Sequence, residues 1–308
     1  MTSAARSASR LETLVSRAIV TVIAAGGFAG LCWADATGLF ATPPGWWLAP
    51  VAALLAFGAA AEAVRMAVGR GLVAGGLFVP LTTAAIPLAA VAATHAPATA
   101  GAGPAAIIGW AAVAAWVAVA VACAAEIARY RHGGASLARL AVAALAVTAI
   151  GLPLAFMVGL RLVPAAAAVD GPACLVPLVS MVAVVKGGDI AAYVVGSLVG
   201  RWKLAPVVSP GKTWEGASAS LVASLAVAWF ILERSGWSGG PQPWGGWAGY
   251  GLAVGVAGML GDLSESLVKR ELSAKDSGRS LGGLGGFLDL IDATLVAAPV
   301  AWILWVLG

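Results

Sequence analysis

The most constraining feature of the sequence is a series of apolar stretches, each about 18 to 25 residues long, that recurs along almost its whole length. An α-helix of about 20 apolar residues crosses a bilayer, because its backbone polar groups are satisfied within the helix. Only 10% of the 308 residues are charged, whereas a soluble domain carries about a quarter. The sequence therefore predicts an all-α, polytopic integral membrane protein. It excludes a signal peptide followed by a soluble domain.

We predict about nine transmembrane helices after a short cytoplasmic tail at residues 1–17. Residues 18–171 contain about five of these spans, and residues 172–308 form a C-terminal transmembrane region that carries the polar motifs. The predicted spans lie approximately at residues 18–34, 46–63, 71–94, 105–125, 140–160, 172–200, 217–232, 247–263 and 288–307.

Lys and Arg residues collect in alternate connections between the predicted spans. Fifteen of the 18 lie in the tail and in every second connection after it, Arg161 and Arg234 lie in the other connections, and Lys186 lies within a span. Because short cytoplasmic loops are rich in Lys and Arg, this distribution predicts a cytoplasmic N-terminus and places the polar motifs on the cytoplasmic side. The bases form no aromatic-interleaved patch, which argues against a nucleic-acid partner.

The three cysteines, Cys32, Cys123 and Cys174, stand far apart inside apolar stretches. They lack Cys-x-x-Cys spacing and a neighbouring histidine. We therefore interpret them as small buried apolar residues rather than as a metal site or a disulfide.

Acids, bases and glycines are concentrated at residues 261–292, between the last two predicted spans. Asp289 and Asp292 are three residues apart and share one helical face. A second face carries Asp262, Glu265, Ser266 and Lys269. An ionised Asp at the centre of a membrane helix costs about 2.5 to 3.5 kcal/mol, so several such residues indicate a function.

Converging Asp oxygens without His or Cys suit a hard cation such as Mg²⁺, which typically bridges to substrate phosphates. Lys269, Arg270 and Lys275 would then neutralise phosphate oxygens during a transfer step. The alternative is that these bases only anchor the spans at the cytoplasmic interface and that the acids pair with them.

A second polar segment, residues 203–216, precedes the seventh predicted span. Its Gly211-Lys212-Thr213 tripeptide is typical of a phosphate loop, but that motif requires Gly where Pro206 stands and a strand where a span stands, so we reject it. Ser209 or Thr213 is expected to cap the seventh span, with Glu215 in its first turn.

A third polar group lies inside the sixth predicted span. Lys186, Asp189 and Tyr193 share a helical face, and Gly187-Gly188 permits either a local break or a close helix contact. Lys186 and Asp189 either neutralise each other or contact a substrate.

At these residues the chain resembles the phosphatidate cytidylyltransferase family, also called CDP-diacylglycerol synthase. The family signature is Ser-x-x-Lys-Arg, four residues, Lys-Asp, and a glycine-rich link to Asp-x-x-Asp. The matching residues are Ser266, Lys269, Arg270, Lys275, Asp276, Gly285, Gly286, Asp289 and Asp292, preceded by Gly261-Asp262. Residues 189–193 resemble the family's Asp-x-x-Ala-Tyr element, and residues 203–216 resemble its Ser-Pro-x-Lys-Thr-Trp-Glu-Gly element. Gly282, Leu284 and Leu290 replace the signature's Pro, His and Arg.

The resemblance implies transfer of a cytidylyl group from CTP to phosphatidate, giving CDP-diacylglycerol and pyrophosphate. It implies Mg²⁺ as cofactor, with a second cation such as K⁺ left open, and a bacterial plasma membrane location with the active site facing the cytoplasm. The oligomeric state is left open, a homodimer included. The implied metal ligands are Asp262, Asp289 and Asp292. The implied catalytic residues are Ser266, Lys269, Arg270, Lys275 and Asp276. The implied substrate-binding residues are Asp189, Tyr193, Ser209, Lys212, Thr213 and Glu215.

Two other functions remain compatible with the residues alone. A CTP-dependent kinase of polyprenol or another lipid would move the γ-phosphate and release CDP. A cation-coupled transporter would also place Asp and Lys in its spans, although no inverted repeat relates the two halves of this chain.

Overall fold

A computed structural model of the chain describes residues 26–39, 42–72, 76–95, 103–130, 135–166, 171–234, 242–272 and 286–308. The predicted N-terminal tail lies outside these residues, as do the signature residues Lys275, Asp276, Gly282, Leu284 and Gly285. The first predicted span lies partly outside them.

The described residues are almost entirely helical. Helix α1 is described over residues 26–36, and the later helices are α2 Leu48–Gly69, α3 Phe78–His95, α4 Pro104–Arg129, α5 Ser136–Ala146, α6 Leu152–Ala166, α7 Val176–Val199, α8 Trp214–Trp229, α9 Gly246–Glu271 and α10 Phe287–Leu307. A π-helical turn at Val147–Gly151 joins α5 to α6, another at Phe230–Arg234 extends α8, and a 3₁₀ turn at Gly171–Leu175 precedes α7.

Seven helical segments of the described residues are long and apolar enough to cross a membrane. They are α2, α4, the joined segment Ser136–Val163, Ala173–Val199, Trp214–Arg234, α9 and α10. Helix α3 is also apolar but shorter, and it contains Pro87. The prediction of a polytopic all-α membrane protein is confirmed.

One element was not predicted from the sequence. Residues before α8 form an antiparallel hairpin of strand β1, Lys203–Ala205, and strand β2, Ser209–Thr213. Pro206 and Pro210 disfavour a helix here, because each lacks the N–H that a helix interior requires. The connection predicted between the sixth and seventh spans is therefore a β-hairpin in the structure.

The two glycines of the sixth span make a close helix contact rather than a break. Helix α7 runs without interruption through Gly187 and Gly188. A Cβ atom on Gly188 would lie 2.7 Å from Ser220 Oγ and 2.9 Å from Ser224 Oγ of α8. Because small residues let membrane helices approach closely, α7 and α8 pack tightly here.

Helix α10 packs against both predicted regions of the chain. Its Ile291 and Leu295 belong to a buried cluster with α2 and α6, whereas its Ala293 and Ala297 belong to a cluster with α7 and α9. Residues 172–308 therefore share their core with helices of residues 18–171.

A buried ion pair joins α1 to α6. Arg161 Nε lies 2.7 Å from Asp35 Oδ2, and both side chains are buried. The Asp35 carboxylate also accepts hydrogen bonds from the backbone N–H groups of Gly45 and Trp47, just before α2 begins. Arg161 is predicted from the sequence to lie in a connection, but α6 continues to Ala166 and buries it. Its charge is tolerated there because Asp35 pairs with it.

Candidate active site

Helices α9 and α10 approach each other backbone to backbone at Gly261. A Cβ atom on Gly261 would lie 2.5 Å from the carbonyl oxygen of Asp292 and 2.9 Å from Ala293 Cα. Any larger residue would push the helices apart. This contact brings Asp262, the next residue of α9, beside Asp292.

Three carboxylates converge at this contact. One oxygen from each of Asp262, Glu265 and Asp292 lies within 4.8 Å of the other two. Asp262 and Glu265 are one turn apart on α9, which explains why both face α10. Glu265 is predicted on this face of α9 but not as a metal ligand, although its spacing of three residues from Asp262 is the signal that indicates one.

Asp289 lies at the same site but is engaged differently. Its Oδ2 atom accepts a hydrogen bond of 2.8 Å from the backbone N–H of Gly286, and its other oxygen pairs with Lys269. Lys269 Nζ also lies 2.7 Å from Glu265 Oε1. Lys269 therefore links the acids of α9 to the first turn of α10.

Two further lysines reach the site from other elements. Lys212 of β2 places its Nζ atom 2.8 Å from Asp262 Oδ2. Lys186 of α7 lies 3.7 Å from Asp189 and donates a hydrogen bond of 3.2 Å to the carbonyl oxygen of Leu290. Hairpin, α7, α9 and α10 thus meet at one group of charges.

The charges of this group fit a bound divalent cation. Three ammonium groups, from Lys186, Lys212 and Lys269, stand against five carboxylates, from Asp189, Asp262, Glu265, Asp289 and Asp292. With all eight groups ionised, the site carries a formal charge of −2, which partly buried groups do not sustain without a counter-charge. The donors are carboxylate oxygens, which hard cations such as Mg²⁺ prefer.

The hairpin is attached at both ends. At its turn, Arg270 Nε of α9 donates to the carbonyl oxygen of Val208 at 3.1 Å. At its base, Glu215 accepts from the backbone N–H groups of Arg201 and Trp202. Thr213 Oγ1 accepts the N–H of Gly216 at 3.2 Å, which confirms the predicted cap of α8.

These elements enclose a cavity of about 490 Å³. This volume falls in the range of small-molecule sites, about 300 to 1,000 Å³. Of the residues predicted from the sequence, those that line it are Asp189, Tyr193, Ser209, Lys212, Thr213, Asp262, Asp289 and Asp292. Lys186 also lines it, where it pairs with Asp189.

Other predicted residues lie outside the lining of this cavity. Glu215 fastens the hairpin, Arg270 holds its turn, and Lys269 bridges the acids of α9 and α10. Ser266 stands one turn beyond Asp262 on α9, and among the described residues it is not part of the lining. Lys275 and Asp276 lie outside the described residues.

Comparison with known proteins points to one family. A family model described as the cytidylyltransferase family matches residues 15–307. The phosphatidate cytidylyltransferase of Brucella suis is 41% identical over 138 residues, which cover 44% of this chain and 48% of the relative. The protein of the same name from Mycobacterium bovis is 40% identical over 127 residues, covering 40% and 39%. That of Mycobacterium leprae is 42% identical over 126 residues, covering 40% and 38%. The matched region spans about half the length of these relatives or less.

Proposed function

The chain belongs to the cytidylyltransferase family, and from this premise we propose that it transfers a cytidylyl group from CTP to phosphatidate, giving CDP-diacylglycerol and pyrophosphate. The relatives named phosphatidate cytidylyltransferase support this substrate pair. The observation that carries the proposal is the cavity between α7, the hairpin, α9 and α10, which is lined by four carboxylates and two lysines. Glu265 and Lys269 lie beside this lining and contact its acids.

The reaction needs charge neutralisation more than covalent catalysis. A phosphate oxygen of phosphatidate attacks the α-phosphorus of CTP, a new P–O bond forms, and the bond to pyrophosphate breaks. The phosphate of the lipid is already an anionic nucleophile, so no side chain has to supply one. Both substrates bring several negative charges together, and catalysis depends on positioning and on compensating those charges.

The lysines of the site fit this requirement. Lys186 and Lys212 line the cavity, where their ammonium groups would contact phosphate oxygens. Lys212 stands on a hairpin whose turn is held by Arg270, so it is presented from a fixed element. Lys269 holds Glu265 and Asp289 and thereby orients the acids. Ser266 and Lys275 remain predicted contacts of substrate phosphate, and Asp276 remains a predicted catalytic residue.

Asp262, Glu265 and Asp292 would hold the divalent cation, Mg²⁺, with Asp289 beside them. When bound, the cation supplies Lewis-acid compensation of phosphate charge.

The active site is proposed to face the cytoplasm of a bacterial cell from the plasma membrane. The positive-inside distribution of Lys and Arg supports this orientation, and the named relatives are bacterial. The two other functions compatible with the residues, a lipid kinase and a cation-coupled transporter, are not favoured, because the family match and the named relatives point to cytidylyl transfer.

The test is the product formed by purified protein in lipid vesicles that contain phosphatidate, with Mg²⁺ and CTP labelled at the α-phosphorus. We expect a chloroform-soluble labelled lipid and an equal amount of pyrophosphate. Release of CDP with an unlabelled lipid product would instead identify a kinase. Ion-dependent solute uptake without CTP turnover would identify a transporter.

A further inference from the structure

Helix α2, in the half of the chain without recognised motifs, contacts the helix that carries Asp289 and Asp292. Glu62 of α2 is fully buried, and its Oε2 atom accepts a hydrogen bond of 3.0 Å from the backbone N–H of Leu288. Leu288 is the second residue of α10. The acceptor and the donor are separated by 226 positions in the chain.

The start of α10 needs this acceptor. The first N–H groups of a helix have no partner within it, and a side chain at the N-cap usually satisfies one of them. The N-cap of α10 is Gly286, which has no side chain, and Asp289 is turned back to the N–H of Gly286. Glu62 therefore supplies from another helix the cap that Gly286 lacks. A carboxylate at this position is also favoured by the helix dipole.

The same face of α2 touches α10 a second time. Gly58 lies one turn before Glu62, and a Cβ atom on it would stand 2.6 Å from Cδ2 of the Phe287 ring. Only glycine lets α2 approach the first residue of α10 so closely. Glu62 and Gly58 together fix the position of the first two residues of α10 against α2.

The end of α2 holds the other helix of the site. Arg70, at the C-cap of α2, donates a hydrogen bond of 2.7 Å to the carbonyl oxygen of Glu271. Glu271 is the last residue of α9. Helix α2 thus contacts the last turn of α9 and the first turn of α10, the two helix ends next to the converging carboxylates.

We propose that α2 is a positioning element of the active site and that Glu62 is its main positioning residue. By holding the first turn of α10, Glu62 sets Asp289 and Asp292 against Asp262 and Glu265 of α9. Its effect on turnover rests on the proposed function, whereas its effect on the α10 backbone does not.

The test compares three variants of the full chain in lipid nanodiscs. Glu62→Leu removes the acceptor, and Glu62→Gln keeps an oxygen that can accept from Leu288. Glu126→Leu is the matched control, because it removes an equally long acid that pairs with Arg139 at 2.6 Å on α4 and α5, away from α10. Amide hydrogen exchange of the first turn of α10, thermal unfolding and kcat are measured for each.

We expect faster exchange at the first turn of α10 in Glu62→Leu only. We also expect its kcat to fall by roughly tenfold to a hundredfold, as for a reacting group displaced by about 1 Å. Glu62→Gln should keep the exchange rate of this turn and the kcat close to those of the wild type. Glu126→Leu should retain the kcat of the wild type even if it unfolds at a lower temperature.

Unchanged exchange in Glu62→Leu would overturn the proposal, and so would faster exchange with an unchanged kcat. An equal loss of kcat in Glu126→Leu would also overturn it, because the effect would then follow general stability. If Glu62→Leu does not fold, the proposal is tested with Glu62→Gln alone. Faster exchange at the first turn of α10 in Glu62→Gln than in the wild type then overturns it. If the wild type makes no CDP-diacylglycerol, the proposed function fails, and the exchange data alone still decide whether Glu62 holds α10.

Discussion

At the scale of single residues, the site depends on acids held close together by bases from other elements. Asp262, Glu265 and Asp292 are close enough to share one cation, and Lys212 and Lys269 each pair with a member of this trio. Because like charges at this separation repel, the three carboxylates need nearby positive charge to remain ionised together. A divalent cation bound by the three carboxylates would supply that positive charge.

Asp292→Asn tests this interpretation. The amide keeps the shape of the side chain but cannot supply the charge, so we expect cytidylyl transfer to fall by at least about 100-fold. The protein should unfold at or above the temperature of the wild type, because one of several repelling charges is removed. Initial rates at saturating CTP and a thermal melt in detergent measure both effects.

The matched control for Asp292→Asn is Glu233→Gln, which neutralises an exposed acid in the turn after α8. It should keep the rate of the wild type. Full activity of Asp292→Asn would remove Asp292 from the proposed ligand set.

At the scale of elements, the backbone contact of α9 with α10 positions the acids. Gly261 lies at this contact, and α9 contains further glycines at Gly251, Gly255 and Gly258 that pack against neighbouring helices. A stripe of small residues is how membrane helices approach one another without a hydrophobic driving force. The distance between Asp262 and Asp292 is therefore set by Gly261, which has no side chain to take part in the reaction.

Gly261→Ala tests this dependence. The new Cβ atom would meet the carbonyl oxygen of Asp292 at 2.5 Å, so the helices must separate. We expect a loss of about 1 to 3 kcal/mol in the free energy of unfolding, as for overpacked cores, together with a large loss of kcat. Unfolding in mixed micelles and steady-state kinetics measure the two changes.

Gly249→Ala is the control on the same helix. Its Cβ atom would have a nearest neighbour at 3.8 Å, the carbonyl oxygen of Trp244, so it should fit without displacement. Its stability should stay the same or rise by up to about 1 kcal/mol, because Ala is the better helix former. If both alanine variants behave alike, the contact at Gly261 does not position the acids.

At the scale of the whole molecule, the N-terminal helices support the C-terminal site from a distance. Asp35 and Arg161 fix the start of α2 against α6, and Glu62 and Arg70 fix its other end against α10 and α9. The two regions of the chain thus both contact the candidate active site, although the recognised motifs lie in only one of them.

Arg161→Leu tests the support at the start of α2. Removing one partner leaves Asp35 as an uncompensated buried charge, and we expect a loss of about 3 to 5 kcal/mol in the free energy of unfolding. The double variant Asp35→Asn, Arg161→Leu should recover part of this loss, because no buried charge remains. Denaturant titration in lipid–detergent micelles gives the free energies of unfolding of the wild type, the single variant and the double variant. A single variant as stable as the wild type would show that the pair does not support α2.

The fold class, the polar faces of α9 and α10, and a cap of α8 by Ser209 or Thr213 could all be predicted from the sequence. These follow from local rules: apolar length, helical spacing, and the preference of Thr213 for an N-cap. The sequence also singled out the charged residues that line the cavity, because they belong to three polar segments of an otherwise apolar chain.

Three features could not be predicted and depend on the packing of the helices: which acids lie closest together, how the hairpin forms, and which elements α2 contacts. Glu265 lies beside Asp262 and Asp292 because Gly261 lets the backbones of α9 and α10 come into contact. Glu62 caps α10 because α2 and α10, which are far apart in the sequence, pack against each other. Arg161 is buried because Asp35, from another helix, pairs with it. Each of these facts depends on a contact between distant segments, which no local spacing encodes.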